Sequence, residues 1–285
     1  MNGIFLVNKP KGLTSHDVVY QIKRKFNLKK VGHTGTLDPF ATGLMIILCG
    51  NATKLAFLFN DLDKGYCGTI ILNQLYDTYD NTGKLIDAKK VKVNSIDLTT
   101  AIKELTKTYE QVPPIYSAIK IDGKKAYQLA RQGEKIELPA RLVTIYLFNQ
   151  LSSLIDDSFD FEALVSKGTY IRSLAFDLGV KLKTYGALSE LKRTLIGKYS
   201  IDNAKTIEDI TKLDLISDQD LFSNIHHLEL SEYLIKLVKN GVYLDQRQIE
   251  TTEPFIVVDH KGNQIAYYEV IDSNKYKPVY FFDGK

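Results

Sequence analysis

The sequence predicts a mixed α/β fold followed by a small β-rich module at the C-terminus. Three observations carry this. Short apolar runs, such as residues 4–7 and 44–49, alternate with segments whose apolar residues recur at helical spacing. Residues 242–282 hold short strand-like runs broken by turn formers at 259–263 and 274–278. The charge divides in the same place: residues 1–200 carry 28 Lys and Arg against 19 Asp and Glu, whereas residues 201–285 carry 9 against 15. A net charge of +3 thus hides a body at +9 and an end at −6.

Bulk composition narrows the class. A chain of 285 residues is long enough for one large domain and a small one. Its hydrophobic and charged fractions, 44% and 25%, are those of a globular protein. No apolar run approaches the ~18 residues of a membrane span, and residues 4–7 are too short for a secretory signal core. Two cysteines, Cys49 and Cys67, give neither a disulfide framework nor metal-ligand spacing. Cytoplasmic residence without a membrane partner is the expectation. A basic body suggests a polyanion partner, or else a lysine-rich solvated surface.

The elements follow in order. Residues 4–7 read as a buried strand, stopped by Asn8-Lys9-Pro10-Lys11-Gly12. Thr14 or Ser15 then caps a helix with Val18, Val19, Ile22 and Phe26 on one face. Its last turn, Lys23-Arg24-Lys25, suits the negative helix end and reads as a solvated terminus or a phosphate-facing patch. Residues 44–49 form a strand and 53–59 a short helix. Residues 66–72 form another strand, and 76–83 are turn-rich. Ser95 caps a helix to Leu105. The segment Gln111-Val112-Pro113-Pro114-Ile115-Tyr116-Ser117 is extended and proline-stiffened, leading through 120–125 to a helix at 126–132 that Gly133 ends. Strands are expected at 143–148 and 159–165, a helix from Arg172 to about Leu182, and amphipathic helical pieces such as 228–238.

The loop Gly32-His33-Thr34-Gly35-Thr36-Leu37-Asp38-Pro39-Phe40-Ala41-Thr42-Gly43 draws the most attention. Glycines and a proline fix its turns, and hydroxyls and free N–H groups surround one acid, Asp38. It reads as a positioned catalytic carboxylate or as an Asx-type turn before a strand. Arg172 falls at a helix N-terminus, where the dipole disfavours a cation by about 0.3–1 kcal/mol. It therefore needs an anion, with Asp38 one partner and a structural ion pair the alternative. By lowering the acid's pKa it would keep an enclosed Asp38 ionised. Tyr66, Tyr116, Tyr127 and Tyr170 lie among cations and turns, which suits stacking on unpaired RNA bases as well as core packing.

The order of these motifs closely resembles the TruB family of tRNA pseudouridine-55 synthases. The resemblance rests on Lys9-Pro10-Lys11-Gly12-Leu13-Thr14-Ser15 and on Val31 with the Asp38 loop. It continues through Gln111-Val112-Pro113-Pro114-Ile115-Tyr116-Ser117-Ala118-Ile119-Lys120, Ala130-Arg131-Gln132-Gly133 and Ser166-Lys167-Gly168-Thr169-Tyr170-Ile171-Arg172. It implies a pseudouridine synthase fold with a mainly antiparallel central sheet in residues 1–235, and a short PUA-like module at 236–285. Residues 111–141 match a mobile segment that closes over tRNA. By the same resemblance Asp38 is the catalytic aspartate, Tyr66 stacks on the target uracil, and Arg172 pairs with the acid. His33, Asp80, Tyr170, Leu191 and Lys9 match substrate-binding positions. The run Leu75-Tyr76-Asp77-Thr78-Tyr79-Asp80 departs from the threonine-rich pattern of the family at Tyr76 and Tyr79.

The implied reaction breaks N1–C1′ of uridine 55 in the T-loop, turns the uracil and rejoins it through C5. Atoms are neither gained nor lost, so no cofactor or metal is expected. The expected partner is tRNA, bound through its T-arm stem-loop by a monomer with no obligate protein partner. Two other readings remain: a non-catalytic tRNA-binding or tRNA-folding protein on the same scaffold, and a small-molecule hydrolase using Asp38.

Overall fold

Eight strands in the order Ile216–Ser217, Gly3–Lys9, Thr42–Cys49, Gly186–Ile196, Lys64–Leu72, Ser158–Val165, Arg141–Gln150 and Thr108–Gln111 form the main path of a ten-stranded sheet in the computed structural model. The structure describes residues 1–282 apart from 118, 122, 133, 135, 273 and 274. Gly133 and Asn274, expected at a helix end and a turn, lie outside the described residues. Along the path every pairing is antiparallel except Thr42–Cys49 with Gly186–Ile196. The mixed, mainly antiparallel sheet is therefore as the sequence led us to expect.

Period-two alternation places the core on both faces. Phe5, Val7, Met45, Ile47 and Cys49 point to the larger core, beneath the helices Ser15–Lys25, Ser95–Leu105 and Ile171–Lys181. Ile4, Leu6, Leu44, Ile46 and Leu48 point to the other face and pack against Phe59 and Ile196. Burial among apolar neighbours pushes the Cys49 thiol up to about 12, so it is inert packing. Thr14 caps the first helix in a reciprocal capping box with Asp17, an arrangement worth about 1 kcal/mol. Asn94, one residue ahead of the expected Ser95, caps the second.

The fork in the sheet sets up the site. Thr42–Cys49 pairs with Gly186–Ile196 only at Thr42 and Gly43, while the short strand Val31–His33 takes the same edge at Ile47 to Cys49. Between these pairings the chain leaves the sheet as the loop that carries Asp38. Gly43 has φ +107° and lies so close to Arg193 that a Cβ would meet its carbonyl oxygen at 2.3 Å. Only glycine fits there.

Several expected elements differ. Residues 53–59 divide into a 3-10 turn, Gly50–Ala56, and one helical turn, Phe57–Asn60. The turn-rich stretch after Tyr76 joins a hairpin of Gln74–Tyr76 and Leu85–Ala88. Residue 228 is not helical. His226–Glu229 runs parallel to Phe255–Val258, and Ser231 caps the helix Glu232–Lys239. The terminal five-stranded sheet thus takes its first strand from ahead of residue 236. It docks on the body through Phe222, Tyr267, Tyr280 and Phe282 against Ala52 and Leu55, and the Tyr280 hydroxyl donates to buried Asp218. Among the described residues, no helix is long and apolar enough to cross a membrane.

Candidate active site

The loop bearing Asp38 is held from below by the preceding motif. Ser15 Oγ accepts from Leu37 N (2.8 Å) and donates to Leu37 O (3.1 Å), both groups buried. Gly12 N donates to Pro39 O (2.7 Å). Lys9, fully buried, donates from Nζ to the carbonyls of Leu13 (2.7 Å), Pro10 (3.0 Å) and Pro39 (3.4 Å). Burial lowers its pKa to about 8, with Asp38 pulling it back upwards and Arg193 pushing it down. Lys9 was expected at a substrate-binding position, and the structure places it under the loop. Its ammonium is spent on the loop backbone and does not reach solvent.

Arg193, on the strand Gly186–Ile196, closes the fork from the sheet. It is 2% exposed, donating from Nε to Leu44 O (2.8 Å), from Nη2 to Gly35 O (3.2 Å) and from Nη1 to Thr36 O (3.5 Å). These carbonyls lie where the strand pairing lapses, and unpaired buried carbonyls are costly. No carboxylate pairs with Arg193 among the described residues.

On top of the loop, Arg172 grips Asp38 side-on, with Nε 2.9 Å from Oδ2 and Nη2 3.2 Å from Oδ1. Arg172 is 5% exposed, while the Asp38 side chain keeps 34% of its surface open. The remaining guanidinium donors go to Thr78 O (2.8 Å) and Tyr116 O (2.9 Å), and Asp80 Oδ2 lies 3.6 Å from Nη1. Asp80 is itself buried, accepts from Thr82 N (3.0 Å), and bridges to Leu188 on the sheet. Burial raises the pKa of Asp38; Arg172 and Lys9 pull it down and Asp80 adds to the rise. The sequence led us to expect a net lowering by Arg172. Desolvation outweighs the ion pair because the carboxylate is enclosed on all but one side.

The departures at Tyr76 and Tyr79 now have a physical account. Tyr79 adopts φ +61° and stacks on Phe176 of the arginine-bearing helix, ring centroids 4.3 Å apart. Tyr76 donates to Gln74 Oε1 (2.6 Å). Both tyrosines brace the turn that presents Asp80 and Thr78.

The other expected residues lie at the start of the arginine-bearing helix and on strands of the main sheet. Tyr170 is the N-cap of the Ile171–Lys181 helix, two residues before Arg172. Burial raises its pKa, and Arg141, Arg172 and Asp38 all bear on it. Tyr66 is partly buried and lies directly across from Arg193, whose other neighbour is Gly43. Leu191 is 7% exposed, and its carbonyl accepts from Thr42 Oγ1 (3.5 Å). The sheet therefore sets Thr42, Leu191 and Tyr66 on three neighbouring strands at the mouth of the loop. His33 stands at the far end of the loop opposite Ile47, half-buried, its pKa lowered by burial and by Arg193 and His16. Arg172 touches both Asp38 and Asp80.

Sequence reasoning missed Arg193 and Gln111, whose Oε1 accepts from Tyr170 N, as parts of this site. A basic residue in an otherwise alternating apolar stretch was the one available signal for Arg193. For Gln111 there was only its position ahead of two prolines. Neither residue type announces that it will bond backbone.

Comparison with known proteins agrees with this architecture. The sequence pattern described as TruB family pseudouridylate synthase (N terminal domain) matches residues 23–171. A protein of Acholeplasma laidlawii named tRNA pseudouridine synthase B is 57% identical over 282 residues, covering 99% of this chain and all of that one. One of the same name from Aster yellows witches'-broom phytoplasma is 55% identical over 283 residues, with the same coverage. Among solved structures, a chain in an H/ACA RNP bound to a substrate RNA containing 2'-deoxyuridine superposes with a TM-score of 0.70. It covers 98% of this chain and 84% of its own at 20% identity, a likeness of fold alone.

Proposed function

The chain belongs to the TruB family of pseudouridylate synthases, an enzyme making pseudouridine in tRNA, and from that premise we propose that its target is uridine 55 of the T-loop. The observation that carries the reading is the two-oxygen ion pair of Asp38 with Arg172, open on one side, in a loop clamped from beneath. A carboxylate so fixed can act on a base or sugar brought to its open edge as nucleophile or electrostatic partner. The reaction is balanced within one nucleotide, so the protein supplies geometry and charge.

The stacked target must first be turned out of its loop, at a cost of a few kcal/mol. Tyr66 offers a ring for the everted uracil, worth about 1–3 kcal/mol, and Leu191 an apolar wall that retains it after N1–C1′ breaks. His33 holds the opened loop, and Tyr170 lines the pocket. Arg172 both stabilises the carboxylate and blunts it as a nucleophile. The pair therefore loosens as the base arrives. Residues 111–141 form the segment that closes over the T-arm, and the terminal sheet is a PUA-like module appended to the catalytic body. The enzyme acts as a monomer in the cytoplasm.

Tritium release from C5-labelled uridine tests the reading. An unmodified tRNA transcript should release label at position 55, and the same transcript with cytidine there should release none. Release that persists without uridine 55 moves the target elsewhere. Binding of tRNA without any release favours the non-catalytic alternative.

A further inference from the structure

The N-terminus of the Ile171–Lys181 helix is tied at three points to the stretch that begins the proline segment. Gln111 Oε1 accepts from Tyr170 N (2.8 Å), Val112 O accepts from Ser173 Oγ (2.7 Å), and Tyr116 O accepts from Arg172 Nη2 (2.9 Å). Two of these acceptors belong to the backbone of the segment. Gln111 alone supplies a side chain, and it sits at the end of a sheet strand, paired with Arg141. It is 1% exposed.

Gln111 is also oriented from behind. Its Nε2 donates to the Tyr109 hydroxyl (3.0 Å), which donates to Asp177 Oδ2 (2.8 Å) on the same helix as Arg172. The amide can therefore present only its oxygen to Tyr170 N, since a flipped amide would set its NH2 against an N–H donor. Asp177 is a half-buried acid, its pKa raised by desolvation, and no step of the reaction uses it. Tyr109, Gln111 and Asp177 thus form a satisfied, largely enclosed chain, Gln111 buried and the other two half-buried, whose outlet is the N–H of the residue two before Arg172. Such chains rigidify what they touch.

We propose that Gln111 is a positioning residue of this enzyme, fixing the N-cap of the helix so that Arg172 meets Asp38 with both oxygens engaged. The inference rests on Asp38 being the reacting acid. A helix start that tilts by a few tenths of an ångström would loosen that grip, and misplacement near the chemistry is costly in rate. The segment that follows Gln111 also reaches Arg172 through Tyr116. Any shift of that segment on RNA binding would therefore reach the ion pair, while Gln111 keeps its root fixed.

Single-turnover rates of tritium release across a pH series, with tRNA affinity and Tm measured alongside, test the proposal. Asp38 faces Arg172, Asp80 and Lys9. When the Arg172 grip loosens, the pKa of Asp38 rises further and the acid limb of the rate profile moves to higher pH. Gln111→Met keeps the length and loses both hydrogen bonds. It should fall at least tenfold in rate with tRNA affinity within threefold, and its acid limb should move up. Gln111→Glu keeps an acceptor for Tyr170 N and should recover part of the rate. Tyr109→Phe removes the rear anchor while leaving the Gln111 oxygen, and should show a smaller loss in the same direction. Gln111→Met with a wild-type rate and profile would overturn the proposal. So would a rate loss that follows Tm or affinity with the acid limb unmoved. Should Gln111→Met not fold, Tyr109→Phe decides alone by the same two readouts. Asp38→Asn serves as the control: if that variant retains activity, the reading of Asp38 fails, whatever Gln111 does.

Discussion

The two sides of the Asp38 loop hold their cations in opposite ways. Above it, Arg172 meets two carboxylates and two carbonyls. Beneath it, Lys9 and Arg193 meet carbonyls only, three each. The upper cation shares its charge with an acid that stays open to solvent on one edge. The lower two spend theirs on backbone that the sheet has left unpaired. Charge on the upper side is available for chemistry, and charge on the lower side maintains the loop.

Removing each cation should reveal this difference. Arg172→Ala leaves buried Asp80 and enclosed Asp38 without the cation in contact with both, and should lose about 3–5 kcal/mol of stability by denaturant unfolding, with activity lost too. A stability within 1 kcal/mol of wild type would show that both acids are solvated. For Lys9 the effect is one of pH. Its folded pKa lies below the unfolded value, so the folded state holds fewer protons between pH 8 and 10.5, and its contribution to stability rises across that window. Lys9→Met should lose this rise, which amounts to about 3 kcal/mol. Equal pH slopes for the two proteins would mean that Lys9 is not desolvated.

Arg193→Lys keeps the charge but not the fork of donors, and should cost about 1–2 kcal/mol through the carbonyls of Leu44, Gly35 and Thr36. Its rate should fall while the pH profile of Asp38 stays in place, because the loop moves without losing Arg172. A shifted profile instead would place Arg193 on the chemical side of the comparison. Tyr66→Leu belongs to neither side and should change stability by less than about 1 kcal/mol. Turnover should nevertheless vanish, and a near-normal rate would remove its stacking role.

The sequence displayed the parts of this site that lie in contiguous motifs. Asp38 stood out from its glycines and threonines, and Arg172 from its awkward place at a helix start. The strand Gly186–Ile196, central to the sheet, was invisible. Its pairing shifts between Leu188 and Glu190 and again between Arg193 and Leu195, and these irregularities break the alternation that identifies a strand. His226–Glu229 was hidden for a related reason. A four-residue strand beside a capped helix carries too few positions to separate the two periods. The burial of Lys9 was equally unreadable, since a lysine next to a proline and a glycine looks like solvated turn chemistry. Only the meeting of residues 9–15 with the Asp38 loop turned that ammonium inwards.

Asp38→Asn is the most direct test of the account. The substitution preserves shape and removes the charge that Arg172 holds. In single-turnover assays on C5-tritiated tRNA transcript the variant should release no label above background, while binding the same transcript within a few-fold of wild type. Label release at a measurable fraction of the wild-type rate, with the asparagine verified in the protein used, would contradict the claim that an arginine-held carboxylate does the chemistry.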